Sequence, residues 1–118
     1  MMMDWNEYRK QVGAAVADMA KISPETVRGY SQLSAAAGKA GHLDAKTREM
    51  IALAVAVTRQ CDGCITVHID AAVKAGATRE ELMDALSIAV AMNAGAALVY
   101  SARALDAWAA RTAEAPAL

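Results

Sequence analysis

The chain has 118 residues, enough for one core and too few for two ordinary domains, so residues 1–118 are expected to form one domain. Its 12 Lys and Arg and 13 Asp and Glu are scattered along the chain, giving a net charge of -1 and no basic stripe of the kind that holds nucleic acid. Apolar residues make up 56% but aromatics only 4%, with no Phe, so large side chains are scarce and alanine is the commonest apolar residue.

That composition favours helices, because alanine loses no side-chain entropy on ordering. The first is expected from Asp4 to Ile22, where Trp5, Tyr8, Val12, Ala15, Met19 and Ile22 recur at steps of three and four. Ser23-Pro24-Glu25 supplies an N-cap, a proline at the first helical position and an early acid for a second helix. Its apolar stripe is Val27, Tyr30, Leu33 and Ala37, and Gly38 to Gly41 ends it.

Asp44 is placed to cap a third helix that becomes apolar on every side from Met50 to Val57, a pattern expected of a helix buried all round. A fourth helix is expected from Cys61 to Lys74, with Gly76 as its stop. Thr78-Arg79-Glu80-Glu81 reads as a capping box that opens a fifth helix through Leu82, Leu86, Ala89 and Val90. Asn93-Ala94-Gly95 reads as a break or kink, followed by a sixth helix from Leu98 to Trp108 and a frayed tail from Thr112 to Leu118. No paired strands or repeats are legible, so the fold class is all-α.

Two expectations concern surroundings. A small, alanine-rich domain has few large side chains for a private core, which points to a homo-oligomer that shares one. The uncharged run Ala85 to Ala102 approaches membrane-spanning length, but Ser87, Asn93, Gly95 and Ser101 interrupt it, so a buried or interface segment is expected and no membrane partner. The N-terminal MMMDWNEYRK has no secretory apolar run, and the location expected is cytoplasmic.

Both cysteines lie in QCDGCITVHI, Gln60 to Ile69. Cys61 and Cys64 are three apart, within bonding reach on a helix, and the positive end of that helix's dipole favours thiolate. His68 follows Cys64 by four residues and therefore shares its face. Asp62, an acid between the thiols, opposes thiolate formation. Glu49 is the candidate orienting partner for His68. If the third and fourth helices fold back near Gln60, Glu49 stands about 16 Å up one axis and His68 about 12 Å up the other, within reach of two long side chains.

Two other readings of the motif stand beside the redox one: small, inert core cysteines, or a zinc site using Cys61, Cys64, His68 and Glu49. A structural zinc site usually brings a second cysteine or histidine pair, which this sequence lacks. His42, in a helix connection, is expected to be exposed and without a role. Tyr100 and Trp108 are candidates to line a pocket near subunit contacts.

The run LDAKTREMIALAVAVTRQCDGCITVHIDAAVKAGATREELMDAL resembles the core of the AhpD-like alkylhydroperoxidases of the carboxymuconolactone decarboxylase superfamily. The E-x11-C-x-x-C-x-x-x-H spacing is met by Glu49, Cys61, Cys64 and His68, and A-x-x-x-G-A-T-x-E-E by Ala72 to Glu81. The likeness covers roughly residues 43–108.

The resemblance implies an all-helical homotrimer or homohexamer that reduces organic hydroperoxides without haem, flavin or metal cofactor. By carry-over, Cys64 is the peroxidatic thiol, Cys61 resolves its sulfenic acid to a disulfide, and His68 and Glu49 relay protons. The disulfide is then reduced by a dithiol partner, in relatives a lipoyl protein or similar system. One position departs: well-studied members carry a histidine immediately before the second cysteine, where this chain has Gly63. The expected function is therefore a thiol-dependent peroxidase. The alternatives are a general disulfide reductase or redox sensor, and a non-catalytic helical oligomer with a metal-binding or regulatory CxxC-His site.

Overall fold

Capping side chains mark helix starts, and left-handed or extended residues mark several of the ends. In the computed structural model, which describes residues 1–39 and 41–112, these signals delimit five α-helices and no strand among the described residues. Helix α1 (Trp5–Ile22) opens with the Asp4 carboxylate accepting the Glu7 N–H at 3.0 Å. Helix α2 (Pro24–Lys39) follows directly, with proline at its first position. Helix α3 (Ala45–Thr58) is capped by Asp44, which accepts the Thr47 N–H at 2.7 Å. That bond holds the Asp44 carboxyl below its ordinary range.

Helix α4 (Asp62–Lys74) ends at Gly76, whose φ of 82° lets the Gly76 and Ala77 N–H groups return to the carbonyls of Val73 and Ala72, both at 3.0 Å. Thr78 and Glu81 then exchange side-chain to backbone bonds at 3.1 Å each and open α5 (Arg79–Thr112). Lys46 reaches across to Glu81 at 2.8 Å, tying the start of α3 to the start of α5.

The expected break at Asn93-Ala94-Gly95 does not occur, and α5 runs unbroken for 34 residues, so five helices replace six. The Asn93 amide donates to Ala89 O at 2.7 Å and to Thr58 Oγ1 at 2.9 Å, bonding within its own helix and to α3. A single helical glycine costs only about 1 kcal/mol against alanine, and the alanines around Gly95 offset it. Thr112 closes α5, and the rest of the expected frayed tail lies outside the described residues.

Helix α3 packs between α4 and α5, with Leu53 and Ala56 fully buried there, while α1 packs on α2 and α4. The buried Thr66 hydroxyl donates to Trp5 O at 3.0 Å. Asp70 on α4 meets Arg9 of α1 at 2.5 Å and Lys74 at 2.8 Å, and the Lys74 bond leads in holding its carboxyl below the ordinary range.

Helix α3 is not buried on every side: Ile51 and Val55 are exposed, because one chain supplies neighbours on only two flanks. Nor is the uncharged stretch of α5 buried within the protomer, where Leu98 is 76% exposed and Leu105 73%. By length and composition alone α5 also meets the criterion for a membrane span. The chain exposes 9385 Å², against about 6,100 Å² expected for a compact monomer of 12.3 kDa. Its radius of gyration, 19.6 Å, exceeds the roughly 13.5 Å typical of a compact 118-residue domain.

Candidate dithiol site

The connection between α3 and α4 makes one residue serve both helices. Gln60 takes the left-handed conformation at φ 53°, and the N–H groups of Gln60 and Cys61 close α3 on Val57 O (3.2 Å) and Ala56 O (3.1 Å). This repeats the Gly76 geometry with a side chain present, at a cost of roughly 1–2 kcal/mol. Cys61 is also the N-cap of α4: its carbonyl accepts the Ile65 N–H at 2.9 Å, and its sulfur accepts the Cys64 N–H at 3.2 Å. A sulfur thus fills the place usually held by a Ser, Thr or Asp oxygen.

Cys61 and Cys64 are joined in a disulfide with Cα atoms 5.2 Å apart, and both are half-buried. Asp62, exposed, is the first residue of α4, and Gly63 lies under α1. A Cβ at position 63 would stand 3.7 Å from a Val12 methyl, so alanine fits there and a longer side chain would displace Val12.

His68 and Glu49 meet, as the fold-back of α3 and α4 allows. His68 Nδ1 lies 2.6 Å from Glu49 Oε2, in a half-buried setting. A carboxylate only accepts, so Nδ1 carries the hydrogen of this bond and Nε2 is left for proton exchange. The pair forms part of the wall of a cavity of about 710 Å³ between α2, the 41–43 connection and α3. Tyr30, Leu33, Leu43 and Ile51 give it apolar walls, and His42 and Arg48 add polar ones.

His42 is exposed, as expected, but it lines this cavity. Tyr100 and Trp108 do not reach it. Both are exposed on α5, where the Arg103 guanidinium lies 5.0 Å from the Tyr100 ring centre. Among the described residues, no group of three or more His, Cys, Asp or Glu is arranged to hold a metal ion.

Sequence reasoning missed the contributions of α1 and α2. Val12 over Gly63, Arg9 on Asp70 and Trp5 on Thr66 seat α1 against the dithiol helix, and Tyr30 and Leu33 bring α2 to the cavity. These partners lie far apart in the chain, and no local pattern announces them.

The sequence pattern of the Carboxymuconolactone decarboxylase family matches residues 24–107. An uncharacterised Haemophilus influenzae protein is 48% identical over 108 residues, covering 92% of this chain and 96% of its own length. A Paracoccus denitrificans relative, uncharacterised protein 4 in the cox locus, is 35% identical, covering 80% of this chain and 86% of its own. The crystal structure of apo-lpg0406, a carboxymuconolactone decarboxylase family protein from Legionella pneumophila, superposes with a TM-score of 0.71 at 46% identity. That match covers 87% of this chain and 92% of the other.

Proposed function

We propose that this chain, which belongs to the carboxymuconolactone decarboxylase family, is a thiol-dependent peroxidase of the AhpD-like kind. The observation that carries the reading is the Cys61–Cys64 disulfide at the start of α4, with the Glu49–His68 pair one helical turn further on.

In the cycle, the Cys64 thiolate attacks the distal oxygen of a hydroperoxide. The S–O bond forms, the O–O bond breaks, and the departing alkoxide takes a proton relayed by His68, leaving Cys64 as sulfenic acid. The Cys61 thiolate then attacks that sulfur, forming the disulfide and releasing the oxygen as water. Glu49 holds the His68 ring by Nδ1, so that Nε2 exchanges the protons. An external dithiol, such as a lipoyl protein, returns the disulfide to two thiols. Such a cycle suits the reducing cytoplasm, where paired cysteines are catalytic more often than structural. The exposed apolar face of α5 supports assembly with further copies of the chain, as trimer or hexamer.

A second reading, a disulfide reductase or redox sensor with little peroxidase turnover, draws on Gly63: that position has no proton-carrying side chain and is packed by Val12. Titrating the reduced chain with one equivalent of hydroperoxide separates them. The peroxidase loses two thiols per chain, regains them with dithiol, and turns over when both reagents are present. Reversible thiol loss without turnover favours the sensor, and no thiol loss removes the peroxidase reading.

A further inference from the structure

The two sulfurs of the disulfide are held differently, and the difference assigns them separate roles in reduction. Cys61 Sγ accepts the Cys64 N–H at 3.2 Å in the oxidised state. Cys61 is also fixed on the α3 side, where its own N–H is bonded to Ala56 O at 3.1 Å. Cys64 stands three residues into α4, and no hydrogen bond to its sulfur occurs among the described residues. The group nearest in sequence that could protonate a departing Cys64 sulfur is His68, and its Nδ1 is engaged by Glu49. Asp62, the first residue of α4, is the acid between the two cysteines.

In thiol–disulfide exchange, the better-stabilised thiolate leaves faster. We infer that an incoming reductant attacks Cys64 and that Cys61 is the leaving thiolate. This rests on the dithiol reading above and deepens it by naming which sulfur the reductant must reach.

The exchange balances in two steps. One thiolate of an external dithiol attacks Cys64 Sγ. A new S–S bond joins reductant to Cys64, the Cys61–Cys64 bond breaks, and Cys61 departs with the electron pair onto the Cys64 N–H. The second thiolate of the dithiol then attacks its own sulfur in the mixed disulfide. The reductant closes to a cyclic disulfide, and Cys64 leaves and is protonated. Two electrons pass from the dithiol to the protein.

The geometry sets a division of labour. Cys64 is the sulfur that meets outside reagents, both hydroperoxide and reductant. Cys61 works only within the pair, as nucleophile towards Cys64 sulfenic acid and as leaving group when the disulfide opens. A physiological reductant therefore has to approach along the Cys64 side of the N-terminal turn of α4.

The test uses the oxidised full-length chain and a monothiol, 2-mercaptoethanol, which stops at the mixed disulfide. The reaction is quenched within seconds by excess N-ethylmaleimide and mapped by peptide mass spectrometry. The expected product carries mercaptoethanol on Cys64 and maleimide on Cys61, in excess over the reverse isomer by roughly threefold or more, the advantage of the better leaving thiolate. Equal isomers, or a majority on Cys61, would overturn the assignment and mean that His68 assists Cys64 to leave.

A disulfide that resists both monothiol and dithiol would instead remove the exchange chemistry on which the proposed function depends.

Discussion

Replacing Leu98 and Leu105 together by aspartate is expected to dissociate the protein into monomers. Both side chains lie on α5 and are 76% and 73% exposed in the protomer. The surface in excess of a compact monomer, 9385 Å² against about 6,100 Å², is about 3,300 Å², more than a standard two-protein interface buries in total. If neighbouring copies cover α5, each leucine contributes about 1.5–3 kcal/mol by burial, and each aspartate adds the cost of burying a charge. The double variant then loses upwards of about 5 kcal/mol of association, more than a thousandfold in the dissociation constant. On a free surface the same changes stay within about 0.5 kcal/mol. Light scattering coupled to size exclusion, without detergent, reads the outcome directly. Wild-type protein should elute at a multiple of 12.3 kDa and the variant at 12.3 kDa. Wild-type monomer at micromolar concentration, or a variant with unchanged mass, would refute the reasoning.

Three further outcomes follow from single residues. Glu49→Gln keeps an acceptor for His68 Nδ1 but removes its charge, weakening a partly exposed charge-assisted bond by about 1 kcal/mol, so peroxide turnover should fall roughly fivefold with the oligomer intact; equal rates would return Glu49 to a structural role. Gln60→Gly relieves a left-handed residue at φ 53° and should raise stability by about 0.5–1 kcal/mol in thermal or urea unfolding, and a loss would mean that the Gln60 side chain makes a contact worth more than the strain. Asp70, held below its ordinary range by Lys74 and Arg9, contributes stability above its unfolded pKa that is lost as pH falls through its lower folded value. Acidification below about pH 4 should therefore loosen α1 from α4, read by hydrogen exchange in α1, and Asp70→Asn should remove that acid dependence.

Local chemistry was legible in the sequence. Asp44 and the Thr78–Glu81 box start helices where such residues must, because orphan N–H groups need an oxygen within three residues. The Cys-x-x-Cys-x-x-x-His spacing places its members on one helix by periodicity alone, and the length of α3 brings Glu49 to His68 once the chain turns at Gln60. Asn93 and Gly95 misled because their turn-forming habit is a local preference, which the α3 hydroxyl of Thr58 and the alanine flanks outweighed.

Only the tertiary structure decided what surrounds the dithiol. Val12 on Gly63, the Arg9–Asp70 pair and the Tyr30 wall join residues of the N-terminal helices to the middle of the chain, and no periodicity encodes such meetings. The same holds for exposure. An all-apolar run in sequence says that a helix seeks cover, but whether its own chain or a neighbouring copy supplies it depends on how many helices fold around it. Here α4 and α5 cover two flanks of α3 and leave the apolar length of α5 open.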